Sequence, residues 1–121
     1  RIDKVMSTFP ALANMRSRTA SKLSGGERKM LAVARVLMVE PTVLVLDEPT
    51  SNLSPELSRS VLRDQVRRLA DSGTAVLLVE QKLPFARRVA SDFSVLEKGR
   101  VGASGPIEGL SDDVVKNHLT V

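Results

Sequence analysis

Cysteine, tryptophan and tyrosine are absent from the 121 residues, and phenylalanine occurs only three times. Without thiols, disulfides and thiolate metal sites are excluded, and a reducing compartment is compatible with the chain. With so few aromatic rings, a stacking platform for single-stranded nucleic acid is poorly supported. Long apolar runs are missing too. Stretches such as Ala75 to Val79 fall far short of the roughly 20 residues a membrane helix needs, and the N-terminus is not signal-like. Any membrane association is therefore expected to come through a partner. A further absence is chemical: the sequence has no Gly-rich loop followed by Lys and Ser/Thr, the phosphate-cradling element of many nucleotide-binding proteins.

The rest of the composition is that of a folded domain. Apolar residues make up 42%, enough for a core and against disorder. The net charge of +4 is unevenly placed. Residues 1–35 carry eight Lys/Arg against two acids, and residues 36–121 carry ten against twelve. A basic front end suits polyphosphate or nucleic acid, with a solvated helix face as the plain alternative.

Hydrophobic spacing and breakers give the order of elements. A short helix around Ile2 to Phe9 is interrupted by Pro10 and followed by a polar, basic loop. Ser24 and Glu27 form a capping-box pattern at the start of a helix whose apolar stripe runs through Met30, Leu31, Val33, Ala34, Leu37 and Met38. Glu40-Pro41 ends it. Val43 to Leu46 is apolar at every position, the pattern of a parallel strand covered on both faces. A turn through Pro49 to Ser54 leads to a helix from Pro55 to about Asp71, closed by Ser72-Gly73. Thr74 to Val79 reads as a second buried strand and residues 83–91 as a helix. Phe93–Glu97 and Arg100–Ala103 read as a hairpin turning at Lys98-Gly99, and Asp112 to Leu119 as a last helix. Strands alternating with helices predict an α/β domain with right-handed crossovers.

Two segments carry the chemistry. Ser24-Gly25-Gly26 opens a helix with backbone N–H groups that no side chain shields, and the helix dipole adds partial positive charge there. A phosphate could approach closely, with the Ser24 hydroxyl as a further donor; an ordinary N-cap followed by turn glycines is the alternative. Asp47-Glu48 follows the apolar strand, and ligands of open α/β sheets gather at the C-terminal ends of strands. Adjacent acids there point to opposite sides and so serve different tasks. Asp47 suits holding Mg²⁺ through its water shell. Glu48 suits orienting or deprotonating an attacking water. A capping or salt-bridging acid pair at a strand exit is the alternative. His118, the only histidine, reads as a surface or packing residue. Arg16, Arg18, Lys22 and Arg28 flank the glycines, for phosphate steering or as a solvated loop. Arg59, Arg63 and Arg67 share one helix face and read as solvent-facing.

Leu23-Ser24-Gly25-Gly26-Glu27 followed by Leu44-Val45-Leu46-Asp47-Glu48-Pro49-Thr50 resembles the signature motif and Walker B segment of ABC-type ATPases. Ser51-Asn52-Leu53-Ser54-Pro55 stands where that family has its D-loop, and Val79-Glu80-Gln81 where it has its switch (H-loop) residue. Val95 to Val101 resembles the family's late hairpin, so the resemblance spans essentially the whole chain. Two departures stand out: Gln81 replaces the usual His, and the D-loop lacks the usual Asp after Leu53. Both are familiar in one ATPase subunit of branched-chain amino-acid importers. Thr8-Phe9-Pro10-Ala11-Leu12 and Val115-Lys116-Asn117-His118-Leu119 also look like that subgroup.

The resemblance implies the C-terminal half of an ABC-type P-loop NTPase domain, with a mostly parallel sheet flanked by helices. Residues 1–40 would be a remnant of the helical subdomain and 41–121 part of the catalytic core, the Walker A half being absent and the chain N-terminally truncated. It further implies an ATPase coupled to transport, with ATP and Mg²⁺ as ligands and a head-to-tail partnership with a second ABC ATPase subunit. Leu23 to Glu27 would meet the nucleotide of the partner, Asp47 would hold the metal, and Glu48 and Gln81 would be catalytic. Transmembrane permease subunits would place it at the cytoplasmic face of the membrane as a peripheral protein, with no nucleic acid as ligand. Alone, the chain is expected to bind ATP weakly, not to hydrolyse it, and to self-associate through uncovered strands. Rival readings are the ATPase head of a DNA-repair or chromosome protein, a soluble translation-associated ABC protein, and a non-catalytic interaction fragment.

Overall fold

A computed structural model of the chain describes residues 1–53 and 62–119. Its contacts divide it into two compact units, Arg1–Lys82 and Leu83–Val121.

The first unit begins with three helices, α1 (Ile2–Thr8), α2 (Pro10–Ala13) and α3 (Gly25–Leu37), the last preceded by a single 3-10 turn, Ala20–Lys22. Pro10 does not end helical structure as the spacing suggested; it starts α2. Phe9, forced out of helical geometry by the following proline, has φ −124° and ψ 77° and joins the two helices. Its N–H donates to Val5 O and its carbonyl accepts from Leu12 and Ala13. Its ring is the anchor of a small core with Val5, Leu12, Met30 and Ala34, and only 1% of it is exposed.

Strands β1 (Val43–Asp47) and β2 (Ala75–Val79) pair in parallel, Val43 opposite Ala75 and Asp47 opposite Val79. Between them lies α4 (Arg63–Asp71). Gly73, at φ +93°, reverses the chain after α4, a conformation that favours glycine. Thr74 then bonds Leu69 O through its N–H and Pro41 O through its hydroxyl, and Ala75 N–H donates to Thr42 O, which aligns the two strands. The expectation of strands covered on both faces is corrected here. Leu44 and Leu46 are buried, but Val43 is 63% and Val45 61% exposed, with Leu77 and Val79 also open. Alternate residues of a strand face opposite sides, and among the described residues only the Leu44/Leu46 side of β1 is covered. The part of the expected 55–71 helix before residue 62 lies outside the described residues.

In the second unit, α5 (Leu83–Val89) is followed by an antiparallel hairpin, β3 (Asp92–Glu97) and β4 (Arg100–Pro106), a 3-10 turn and α6 (Asp112–Leu119). The hairpin turns at Lys98-Gly99 as the sequence implied, both residues at positive φ, the requirement of a two-residue turn that matches strand twist. A bulge interrupts the register between Val95 and Leu96. β3 and β4 form a two-stranded sheet. Gly102 leaves room for the His118 ring, since a Cβ there would lie 2.8 Å from Nδ1. His118 Nδ1 is 3.3 Å from Glu97 Oε2, so the single histidine has the packing role its position suggested.

Candidate functional site

The tip of α3 is built as its sequence dictates. Ser24 sits at the N-cap in extended geometry, its hydroxyl accepts from Glu27 N–H at 3.3 Å, and Glu27 Oε2 accepts from Ser24 N–H at 2.6 Å. The Ser24 backbone N–H and hydroxyl, with Arg18 nearby, hold the Glu27 carboxyl below its ordinary value. The tip therefore already carries one negative charge of its own. A Cβ on Gly25 would meet nothing within 4 Å; the space over this turn is open. Leu23 is buried beneath it, and Arg28 Nη1 donates to Leu23 O at 2.5 Å.

At the other segment, β1 ends with Asp47 exposed and Glu48 turning at φ +42°. The ladder nevertheless continues one bond further, Glu48 N–H to Val79 O at 2.8 Å. Gln81 Nε2 donates to Glu48 Oε1 at 2.5 Å, so the structure brings together the two residues read as catalytic. Ser51 N–H returns to Glu48 O at 3.1 Å and Leu53 N–H to Thr50 O at 3.2 Å, placing Ser51, Asn52 and Leu53 in a tight turn directly after the acids. Ser54 lies outside the described residues.

Four residues given no role of their own from the sequence complete the site. Lys29, on α3, donates to Glu48 O at 2.7 Å, to Ser51 O at 3.0 Å and to the Ser51 hydroxyl. Glu80 Oε1 accepts from Thr50 N–H at 2.9 Å and from its hydroxyl, and Glu80 Oε2 from Lys82 N–H at 3.1 Å. Lys82 Nζ donates to Thr50 O at 3.0 Å. Thr50 is fully buried with its hydroxyl satisfied. The one sequence signal for Lys29 was its place four residues before Val33, on the edge of the apolar stripe of α3. Among the described residues no hydrogen bond or ion pair joins Leu23–Glu27 directly to Asp47 or Glu48; Lys29, one helical turn further on, makes the link.

No cluster of three or more His, Cys, Asp or Glu that could hold a metal occurs among the described residues. Asp47 stands as a single exposed carboxylate, which fits a hard cation that keeps several waters and takes its other oxygens from substrate phosphates. No helix of the described residues is long and apolar enough to cross a membrane.

The fold that carries the strand-end acids and the glycine-tipped helix is shared with solved ABC-type ATP-binding cassettes. An ATP-binding cassette of an ABC transporter, MJ1267, superposes with a TM-score of 0.83 at 27% identity, over 99% of this chain and 49% of that one. Residues 1–51 match the family model described as ABC transporter. A probable branched-chain amino acid transport ATP-binding protein, LivF, of Archaeoglobus fulgidus is 41% identical over 106 residues, 87% of this chain and 44% of the relative. The nopaline permease ATP-binding protein P of Agrobacterium fabrum is 39% identical over 104 residues, 86% and 38% respectively. The chain thus has the fold of ABC-type ATP-binding cassettes and is similar in sequence to ATP-binding proteins of ABC transporters. It spans about two fifths of the length of these curated relatives.

Proposed function

We propose that the protein carrying this chain is an ATP-hydrolysing subunit of an ABC transporter that energises amino-acid uptake, branched-chain amino acids being the first substrates to test. The observation that carries the ATPase reading is Glu48, held at the exit of a parallel strand by its backbone bond to Val79 and by the Gln81 amide. An acid so placed can accept a hydrogen bond from a water and aim it at a terminal phosphate. The open tip at Ser24, Gly25 and Gly26 offers donors to the same phosphate when supplied to a second cassette, so the working unit is a head-to-tail pair of ATPase subunits. Asp47 would hold Mg²⁺, which neutralises charge developing on the phosphates when bound. Gln81 contributes a donor that does not titrate, in place of an imidazole. The pair would sit on permease subunits at the cytoplasmic face of the membrane and pass closure of its interface to them.

The deciding experiment is Glu48→Gln in the complete gene product. ATP turnover is expected to fall by about a hundredfold or more while ATP binding persists and traps the closed dimer. Unchanged turnover would remove Glu48 from its role. Uptake of labelled leucine, isoleucine and valine, set against an opine and a drug in the same vesicles, then identifies the solute. The similarity to a branched-chain importer protein and the Gln81 position support the first of these; the nopaline permease protein supports the second.

A further inference from the structure

Lys29 spends all three of its ammonium hydrogens on one turn: Glu48 O at 2.7 Å, Ser51 O at 3.0 Å and the Ser51 hydroxyl. Its stem lines a small cavity with Val33, Pro49, Leu53 and Leu62. An apolar side chain of the same length would fill that place without the cost of stripping water from a cation. Packing alone therefore does not call for an ammonium group here. The carbonyl it holds most closely is that of Glu48, the same oxygen that Ser51 N–H bonds to close the turn. On the far side, Glu80 and Lys82 grip Thr50 through its N–H, hydroxyl and carbonyl. The turn from Glu48 to Ser51 is clamped between α3 and the segment after β2, and among the described residues Lys29 is the side chain of α3 that hydrogen-bonds to it.

We propose that Lys29 is a positioning residue for the hydrolytic step: it fixes the backbone from which the Glu48 carboxylate reaches water, and ties that backbone to the helix whose tip meets nucleotide. The proposal rests on the reading of Glu48 as the water-orienting acid. A shift of α3 when its tip is occupied would act on the Glu48 carbonyl through the Lys29 side chain.

Lys29→Met tests this with two readouts. In this chain, amide exchange at Ser51 is expected to speed about tenfold or more, with the amides of Met30 to Leu37 unchanged. In the complete gene product, kcat for ATP is expected to fall about ten- to a hundredfold with KM within about twofold, a split that loss of uniform binding would not give. Exchange that accelerates evenly along α3, or kcat at the level of the unaltered protein, would overturn the proposal. If the methionine variant does not fold, Lys29→Gln, which keeps a donor on a shorter stem, is held to the same kcat and KM criteria. Glu48→Gln in parallel separates two failures: full turnover there refutes the reading of the site, whereas an inactive Glu48→Gln beside a fully active Lys29→Met refutes the role of Lys29 alone.

Discussion

Ser24 and Glu27 show how far single residues were legible. A hydroxyl followed by an acid three positions on is a local pattern with one favoured geometry, and both of its bonds are in place. Lys29 was not legible, because its partners, Glu48 and Ser51, lie 19 and 22 residues away and no local rule joins them. Glu80 escaped for the same reason, as its Thr50 partner is 30 residues distant. The cap predicts an acid-labile helix start. Glu27 is held below its ordinary value by the Ser24 N–H and hydroxyl, so its contribution is complete above the unfolded carboxylate range and is lost as the pH falls through the lower, folded value. Amides of the first turn of α3 should exchange faster as the medium is acidified through that interval. In Glu27→Gln the step should vanish, and its persistence would assign the pH response to another group.

At the scale of elements, the helices and the hairpin followed from periodicity and turn chemistry, while strand environment did not. An unbroken apolar run shows that both faces of β1 are greasy; it cannot show that both are covered, and the Val43/Val45 side is open. Pro10 misled in the opposite direction: a breaker by rule, it serves as the first residue of α2 because that position needs no N–H donor. The helical layer hangs on the residue between the two helices. Phe9→Ala should destabilise the first unit by about 3–5 kcal/mol, read as a fall in the denaturant midpoint. A change below about 1 kcal/mol would mean that α1 and α2 pack independently of the ring.

For the molecule as a whole, the open apolar face of the parallel pair is the feature with the widest reach. Val43, Val45, Leu77 and Val79 all stand exposed on two paired strands, and apolar patches of this kind promote association. The 121-residue chain is expected to self-associate at high concentration in sedimentation equilibrium, and Val45→Lys to shift the distribution towards monomer. A wild-type chain that stays monomeric throughout would show that the face is tolerated in water. The ladder bond from Glu48 N–H to Val79 O has a separate outcome. Since that amide is moored to the neighbouring strand and the carbonyl to an ammonium, the carboxylate can change its aim only by swivelling about its own carbon–carbon bonds. Switching between a resting and a water-facing pose then asks for a rotamer flip and an exchange of partner with Gln81, with no refolding of the peptide that bears it.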